Sequence, residues 1–320
     1  MKRLLAAAIA AIVASGAAAQ DDYPNRAITI LVPFAPGGVV DLASRTIGEG
    51  LSRRLGQEVI VENRAGGSGF IAATAAAQAD PDGYTLFMGE AGTLTINPSL
   101  FEDTPYDAEA DFTTVSTITD TPLILVANKN ADFKTFEDFL AAARAEPGRI
   151  TYSSAGIGTL NHLAPEWMAM EGDLDIQHIP YKGGRPAATA VASGEVDISV
   201  VSYSSTKPFI DSGDVVVLAT TSAERIDPSP DTPTMQEGGV PNIDTSQWTG
   251  LMAPAGTPDS ILDTLNSTIA EILAEPEVAK TLTEAGAAPY PSSRADFDAM
   301  LDRLRGQFAT IIETAGISAQ

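Results

Sequence analysis

The clearest structural signal in this chain is the stretch Ile28-Thr29-Ile30-Leu31-Val32-Pro33-Phe34-Ala35-Pro36-Gly37-Gly38. Its β-branched part, residues 28–34, predicts a strand, and the proline and glycines that follow predict a turn. From residue 41 to about residue 55, apolar side chains recur at helical spacing. A strand, a glycine turn and a helix in this order form the repeating unit of a doubly wound α/β sheet.

The same order recurs along the chain, in two groups of strands between which the chain crosses more than once. Further strands are predicted at residues 58–62, 84–88, 123–127, 150–154, 176–180, 197–201, 215–220 and 247–252. Further helices are predicted at residues 70–79, 135–145, 160–170, 185–193, 258–274 and 295–315, and residues 90–112 are predicted to be irregular. Two α/β lobes would hold a ligand cleft between them, at the carboxyl ends of the strands.

The composition excludes several classes of function. The 320 residues include 19 Lys plus Arg and 42 Asp plus Glu, for a formal net charge of −23, which argues against nucleic acid or an anionic membrane surface as a partner. No cysteine is present, so thiolate nucleophiles, disulfides and cysteine-based zinc sites are excluded. Two histidines, His162 and His178, leave little room for histidine-rich metal chemistry.

The first nineteen residues have the pattern of a secretory signal peptide. Lys2 and Arg3 precede an apolar run over residues 4–13, and Ala17-Ala18-Ala19 supplies small residues for cleavage after Ala19. A membrane anchor is the alternative, but the run is too short to span a bilayer. We therefore expect an exported, periplasmic protein that is free of the membrane and becomes more acidic once the basic leader is removed.

Three glycine-bearing loops each follow a predicted strand and open a helix: residues 36–38, 66–69 and 156–159. Such loops present free N–H groups at the positive end of a helix dipole, which suits a carboxylate or phosphate. Each loop alone can equally be an ordinary strand-to-helix turn. Loops converging on one cleft would instead form an anion site.

Other chemistries have weaker support in the sequence. Residues 67–72 match G-x-G-x-x-A with Glu90 about twenty positions on, but the match falls in the second βα unit, so dinucleotide binding is disfavoured. No G-x-S-x-G elbow is present, and no ligand cluster for a metal. Lys182 and Arg185 follow a strand and either offset a ligand's charge or face solvent. Trp167 is expected in the core, whereas Trp248 is open between core and pocket.

Several motifs together resemble the solute receptors of tripartite tricarboxylate transporters, the Bug or TctC family. The resemblance covers nearly the whole chain after the leader. The motifs that carry it are Val32-Pro33-Phe34 with Pro36-Gly37-Gly38, Val61-Glu62-Asn63-Arg64, Asp82-Gly83-Tyr84-Thr85-Leu86, Ile96-Asn97-Pro98-Ser99-Leu100, Gly158-Thr159 with His162-Leu163-Ala164, Pro180-Tyr181-Lys182-Gly183, Gly194-Glu195-Val196-Asp197 and Leu251-Met252-Ala253-Pro254-Ala255-Gly256-Thr257-Pro258.

The resemblance implies a two-lobed periplasmic binding protein of the type II-like class, each lobe a mixed β-sheet flanked by helices. We expect residues 20–121 with 246–320 to form lobe 1 and residues 122–245 to form lobe 2. Such a receptor closes on a small carboxylate and delivers it to a membrane permease, without catalysis, cofactor or metal, and as a monomer. An extracytoplasmic sensor for a membrane signalling partner such as a sensor kinase is the alternative, and an exported enzyme is a third, disfavoured one.

The resemblance also implies which residues contact the ligand, mainly through backbone N–H groups, hydroxyls and water. They come from the loops over residues 34–41, 89–93 and 154–159, with additions from lobe 2. The expected set is Phe34, Ala35, Gly37, Gly38, Asp41, Glu90, Ala91, Thr93, Ser154, Ala155, Ile157, Gly158, Thr159, His162, Tyr181, Ser202 and Tyr203.

Three positions depart from the family pattern. Relatives commonly carry Thr or Asn at Glu90, often Asn at Ile157, and often Asp followed by Ser where this chain has Val201-Ser202. A more apolar pocket with an added carboxylate suggests a ligand with an apolar or aromatic portion, or an amine, rather than citrate. Asp41 near the start of the first helix either caps that helix or binds a ligand amine.

Overall fold

The computed structural model describes residues 23–226 and 229–318. The predicted signal peptide, residues 1–19, lies outside this part of the chain. The strands are β1 Ile28–Val32, β2 Val59–Asn63, β3 Thr85–Glu90, β4 Phe112–Asn128, β5 Thr151–Ser154, β6 Gln177–Pro180, β7 Ile198–Ser202, β8 Val215–Thr220, β9 Ser246–Pro254 and β10 Ala288–Pro289.

Helices alternate with these strands over most of the chain, as predicted. They are α1 Val39–Leu55, α2 Phe70–Ala77, α3 Asn97–Leu100, α4 Phe136–Ala145, α5 Leu160–Gly172, α6 Gly184–Ser193, α7 Tyr203–Asp211, α8 Asp259–Leu273, α9 Pro276–Glu284 and α10 Arg294–Ala315. A 3-10 turn at Gly67–Gly69 precedes α2, and a π-helix at Gly92–Ile96 runs directly into α3.

Strand β4 belongs to both lobes. Its residues from Phe112 to Pro122 pair antiparallel with β9, and its residues from Leu123 onward pair antiparallel with β7 and β8. The lobe 1 sheet has the order β2-β1-β3-β9-β4, and the lobe 2 sheet has the order β4-β7-β5-β6. The expected two-lobed α/β fold with a mixed sheet in each lobe is therefore confirmed.

Apolar side chains fill both lobes and the region behind them. One cluster packs α1 and α8 on the lobe 1 sheet through Ile47, Leu51 and Ile269. A second packs α6 on the lobe 2 sheet, and a third spans both lobes, with Trp167 and Trp248 each at most 4% exposed. Burial of a large apolar side chain contributes roughly 1.5–3 kcal/mol, so these clusters supply the stability that disulfides would otherwise give.

The sequence patterns missed several regular elements: the first half of β4, the two-residue strand β10, the π-helix, and helices α3, α7 and α9. The first half of β4 is rich in buried threonines, such as Thr119, whose hydroxyl lies 2.7 Å from that of Thr249 on β9, so it shows no apolar alternation. Helix α7 contains Pro208 and polar residues, and α9 is short. Residues 90–112, predicted to be irregular, contain the π-helix and α3.

Candidate ligand-binding cleft

Two adjoining cavities of about 540 Å³ and about 260 Å³ lie between the lobes. They share walls that come from the β1–α1 loop of lobe 1 and from two loops of lobe 2. The shared residues are Phe34, Ala35, Ala155, Lys182 and Gly183. The larger cavity is completed mainly by residues 65–69 with Gly156, Ile157 and Thr159, and the smaller mainly by residues 36–40 and the start of α6.

Helix N-termini surround the smaller cavity. The first residues of α1 and of α6 line it, and so do Ser202 and Ser205 at the start of α7. The N-terminus of an α-helix carries unpaired N–H groups and about half a positive charge. Three such ends at one cavity favour an anion there.

Asp41 stabilises the first glycine turn through its side-chain carboxylate. It is 5% exposed, its carboxylate accepts a hydrogen bond of 3.0 Å from the Gly37 N–H and one of 2.9 Å from the Asn63 side chain, and it pairs with Arg45 at 2.9 Å. Burial opposes ionisation, but the bonds from Arg45, Gly37 and Asn63 hold the pKa of Asp41 below its ordinary value. Asp41 therefore shapes the turn and lines neither cavity.

Glu90 is turned away from the cavities. Its side chain is 2% exposed, and its carboxylate accepts hydrogen bonds of 2.7 Å and 2.8 Å from the N–H groups of Gly92 and Thr93. Burial raises the pKa of Glu90, and these hydrogen bonds offset the rise only in part. The N–H groups expected to hold a ligand in this loop are thus occupied by the chain's own carboxylate, and Ala91 and Thr93 are fully buried beside it.

The lobe 2 loop over residues 155–159 rests on two histidines. Buried Ser154 lies 2.6 Å from the Nε2 atom of His178 and accepts a hydrogen bond from the Gly156 N–H. The Gly158 N–H donates to the Nδ1 atom of His162 at 3.5 Å. The imidazoles stack with their centroids 4.1 Å apart. Burial lowers the pKa of His162 to about 4, and burial together with repulsion from His162 lowers the pKa of His178 to about 3.

Lys182 and Arg185 bring positive charge to the cleft. Lys182 lines both cavities and Arg185 the smaller one. Within residues 23–226 and 229–318, neither forms an ion pair. No Asp or Glu lines either cavity in the same part of the chain.

The structure brings about half of the expected site residues to the cavity walls. These are Phe34, Ala35, Gly37, Gly38, Ala155, Ile157, Thr159, Tyr181 and Ser202. The others do not line either cavity: Asp41, Glu90, Ala91, Thr93, Ser154, Gly158, His162 and Tyr203. Tyr203 instead lies beside Pro122 in a separate cavity near the crossing of the lobes.

Besides Lys182 and Arg185, four uncharged polar wall residues were missing from the expected set: Ser68, Asn161, Ser205 and Gln247. Ser68 lies in a glycine turn that the sequence did flag, and Asn161 directly follows the third glycine loop, so both had a local signal. Gln247 comes from β9, far from every glycine turn along the chain, and only the return of β9 to β4 brings it to the cleft.

Metal-binding clusters and membrane-spanning helices were sought in the described part of the chain. It holds no group of three or more histidine or acidic residues able to bind a metal ion. Over the same residues, no helix combines the length and apolarity needed to cross a bilayer. The short contact between Ser154 and His178 has the composition of a nucleophile–base pair, but Ser154 is fully buried and lines neither cavity.

Comparison with known proteins agrees with this architecture. A family model described as "Tripartite tricarboxylate transporter family receptor" (TctC) matches residues 43–317. Protein BugT of Bordetella pertussis is 36% identical over 90% of this chain and 90% of its own length.

Two solved structures with bound ligands are also similar. A protein from R. palustris with adipate is 33% identical, covers 93% of this chain and 99% of its own, and superposes with a TM-score of 0.89. MatC from Rhodopseudomonas palustris with bound malate is 30% identical, covers 91% of this chain and all of its own, and gives a TM-score of 0.84. The chain therefore belongs to the TctC family of tripartite tricarboxylate transporter receptors, which are periplasmic solute-binding proteins.

Proposed function

We propose that this receptor captures a small carboxylate between its lobes in the periplasm and delivers it to the membrane permease of a tripartite transporter. The observation that carries the proposal is the charge of the cleft. The chain has 42 acidic and only 19 basic residues, yet both cavities are lined by cations and by no acid among the described residues. A recessed site lined by charge of one sign concentrates ligands of the opposite sign.

Backbone dipoles add to the side-chain charge. The N-terminal residues of α1, α6 and α7 line the smaller cavity, next to Arg185. Charge-assisted hydrogen bonds from such groups to a carboxylate are stronger than those between neutral groups. An anion is thus favoured even though the surface of the protein is strongly acidic.

The wall also favours a ligand with an apolar portion. Phe34, Val39, Val40 and Ile157 present apolar surface beside the polar groups. Adipate and malate, held by the two solved relatives, are dicarboxylates. An amine on the ligand would lack a carboxylate partner here, because Glu90 and Asp41 are both engaged with the chain's own groups. We therefore favour an aliphatic or aromatic carboxylate over an amine-bearing one.

Closure of the lobes would hold the ligand. We propose residues 20–121 with 246–320 as lobe 1 and residues 122–245 as lobe 2, since β4 changes partners between Pro122 and Leu123 and β9 begins opposite Pro122. A ligand that contacts both lobes stabilises the closed state by its extra contacts there. We further propose that the mature protein begins after Ala19 and acts as a monomer. The alternative function, an extracytoplasmic sensor, stays a prediction that no observation on the described residues supports.

A pair of ligands of equal length and opposite charge tests this function. Thermal unfolding and calorimetry are measured with adipate, malate and benzoate, and with 1,6-diaminohexane as the cationic counterpart of adipate. We expect at least one carboxylate to raise the melting temperature, by an amount equivalent to about 2.7 kcal/mol at a hundredfold excess over Kd, and the diamine to have no effect. Stabilisation by the diamine with all carboxylates inert would overturn the proposal.

A further inference from the structure

The two histidines of the chain meet directly beneath the lobe 2 loop. His178 lies on β6 and His162 on α5, and their rings stack within 17° of parallel. Tyr152 stacks on the other side of His178 at 4.8 Å, and its hydroxyl bonds to Glu166. Aromatic stacking and burial hold both rings in place. Both histidines thus form one stack beneath the loop that lines the larger cavity of the proposed ligand site.

Each histidine is linked by hydrogen bonds to the N–H group of one glycine in the loop. His162 accepts from Gly158 directly, whereas His178 acts on Gly156 through the hydroxyl of Ser154. Both glycines have positive φ values, +130° for Gly156 and +78° for Gly158, which glycine adopts without strain, so these hydrogen bonds select one backbone path among several that the loop could take. The same loop contributes Ala155, Ile157 and Thr159 to the larger cavity.

We propose that His162 and His178 are positioning residues, which fix the lobe 2 loop for ligand binding as two different neutral tautomers. His162 must leave Nδ1 unprotonated to accept from Gly158, so its proton lies on Nε2. Of the two contacts of the Ser154 hydroxyl, the Gly156 N–H can only donate and Nε2 of His178 can accept. We infer that the hydroxyl uses its own proton toward Nε2, which places the His178 proton on Nδ1. This role rests on the proposed function only for the statement that the loop contacts a ligand.

Protonation of the two histidines would remove the acceptor nitrogen that each uses in its hydrogen bond. An imidazolium has two donors and no acceptor, so a charged His162 would face the Gly158 N–H with a second donor, and two charged rings would repel at 4.1 Å. The titratable groups around the stack are Tyr152 and Glu166, which bond to each other. Because burial lowers both imidazole pKa values, neutral rings are expected throughout the neutral and mildly acidic range.

Nitrogen NMR of the histidine side chains tests the tautomers on the whole mature protein. With two histidines in the chain, His162→Asn and His178→Gln assign the signals by difference. We expect protonated Nε2 on His162 and protonated Nδ1 on His178 at neutral pH, with no change on mild acidification. The same tautomer on both rings, or a cationic ring at neutral pH, would overturn the inference.

Two neighbouring serines provide a matched pair for the effect on the ligand. Ser154→Ala breaks the bridge from His178 to Gly156, whereas Ser153→Ala removes an equally buried hydroxyl whose partners, Ala187 and Ser199, lie away from the loop. With adipate as the probe, we expect Ser154→Ala to weaken binding about tenfold, from the loss of a buried hydrogen-bond partner, and Ser153→Ala to leave Kd nearly unchanged. Equal effects of both variants would contradict positioning.

Conservative replacements separate the hydrogen bond from packing. His178→Gln retains an acceptor near the Nε2 position and should bind adipate close to wild type, whereas His178→Phe retains the stacked ring without the acceptor and should lose about as much affinity as Ser154→Ala. Tighter binding of adipate by His178→Phe than by His178→Gln would contradict the role of the acceptor. If wild type binds no carboxylate, the proposed function fails, and the NMR result still decides whether the histidines hold the loop in the assigned tautomers.

Discussion

The hydroxyl of Ser68 in lobe 1 donates a hydrogen bond of 3.0 Å to the backbone carbonyl of Ile157 in lobe 2. This bond closes one side of the larger cavity, because both residues line it. Asn97 extends the same contact, since its side chain holds the Ser68 carbonyl at 2.9 Å. The glycine turn that opens α2 and the loop that opens α5 are therefore joined across the cleft.

Ser68→Gly should weaken closure without weakening the fold. Ser68 has a φ of +53°, which glycine adopts without strain. Loss of one hydrogen bond between the lobes should lower affinity for a bound carboxylate about fivefold. Calorimetry measures the affinity and small-angle scattering the closure, with the melting temperature of the free protein as control. An unchanged affinity would show that the contact does not contribute to closure.

Lys182→Gln and Arg185→Gln should each weaken carboxylate binding about two- to fivefold, as expected for a solvent-accessible charge. The loss should shrink as salt is added, because screening removes the attraction in wild type as well. Lys280→Gln is the matched control, since Lys280 is an exposed cation on α9 that lines neither cavity. An equal loss in the control would point to overall charge rather than to the cleft.

Glu90→Gln should change how stability depends on pH. Burial raises the pKa of Glu90 in the folded state above its ordinary 4.5, so its contribution is most favourable below that value and is lost as the pH rises through the folded pKa. The unfolding free energy of the Gln variant should therefore gain on that of wild type as the pH rises from about 4.5 toward neutrality. Urea titrations at several pH values measure the difference. A difference that is constant with pH would contradict the burial of a titrating group.

Gly250→Ala should destabilise the fold, by about 1–3 kcal/mol for overpacking. A methyl group at Gly250 on β9 would overlap the Phe297 ring of α10. Gly306→Ala is the control, on the helix that carries Phe297, because its added methyl group meets nothing within 4 Å. This variant should stabilise the helix by about 0.5–1 kcal/mol. Thermal unfolding of both variants checks the opposite signs.

Local patterns predicted most of the regular structure and the general position of the site. The β-branched runs, helical spacing and glycine turns of residues 28–55 depend on short-range sterics. They therefore predict local structure without knowledge of the elements packed against them. The same turns indicated an anion cleft, and nine of the expected residues line its cavities. The first half of β4 could not be predicted because its buried threonines show no apolar alternation, and its pairing with β9, which includes the Thr119–Thr249 hydroxyl contact, depends on residues far along the chain.

The sequence by itself determined the α/β order, the signal-peptide pattern and the absence of thiol chemistry, because these follow from local propensities and composition. Its motifs, taken together, also indicated the family by resemblance. Only the tertiary structure decided the direction of individual polar groups. It turned the Glu90 carboxylate onto the N–H groups of Gly92 and Thr93, brought Gln247 to the cleft and stacked His162 on His178. Such pairings depend on which buried donors and acceptors must satisfy one another once distant strands meet, and no local pattern encodes that choice.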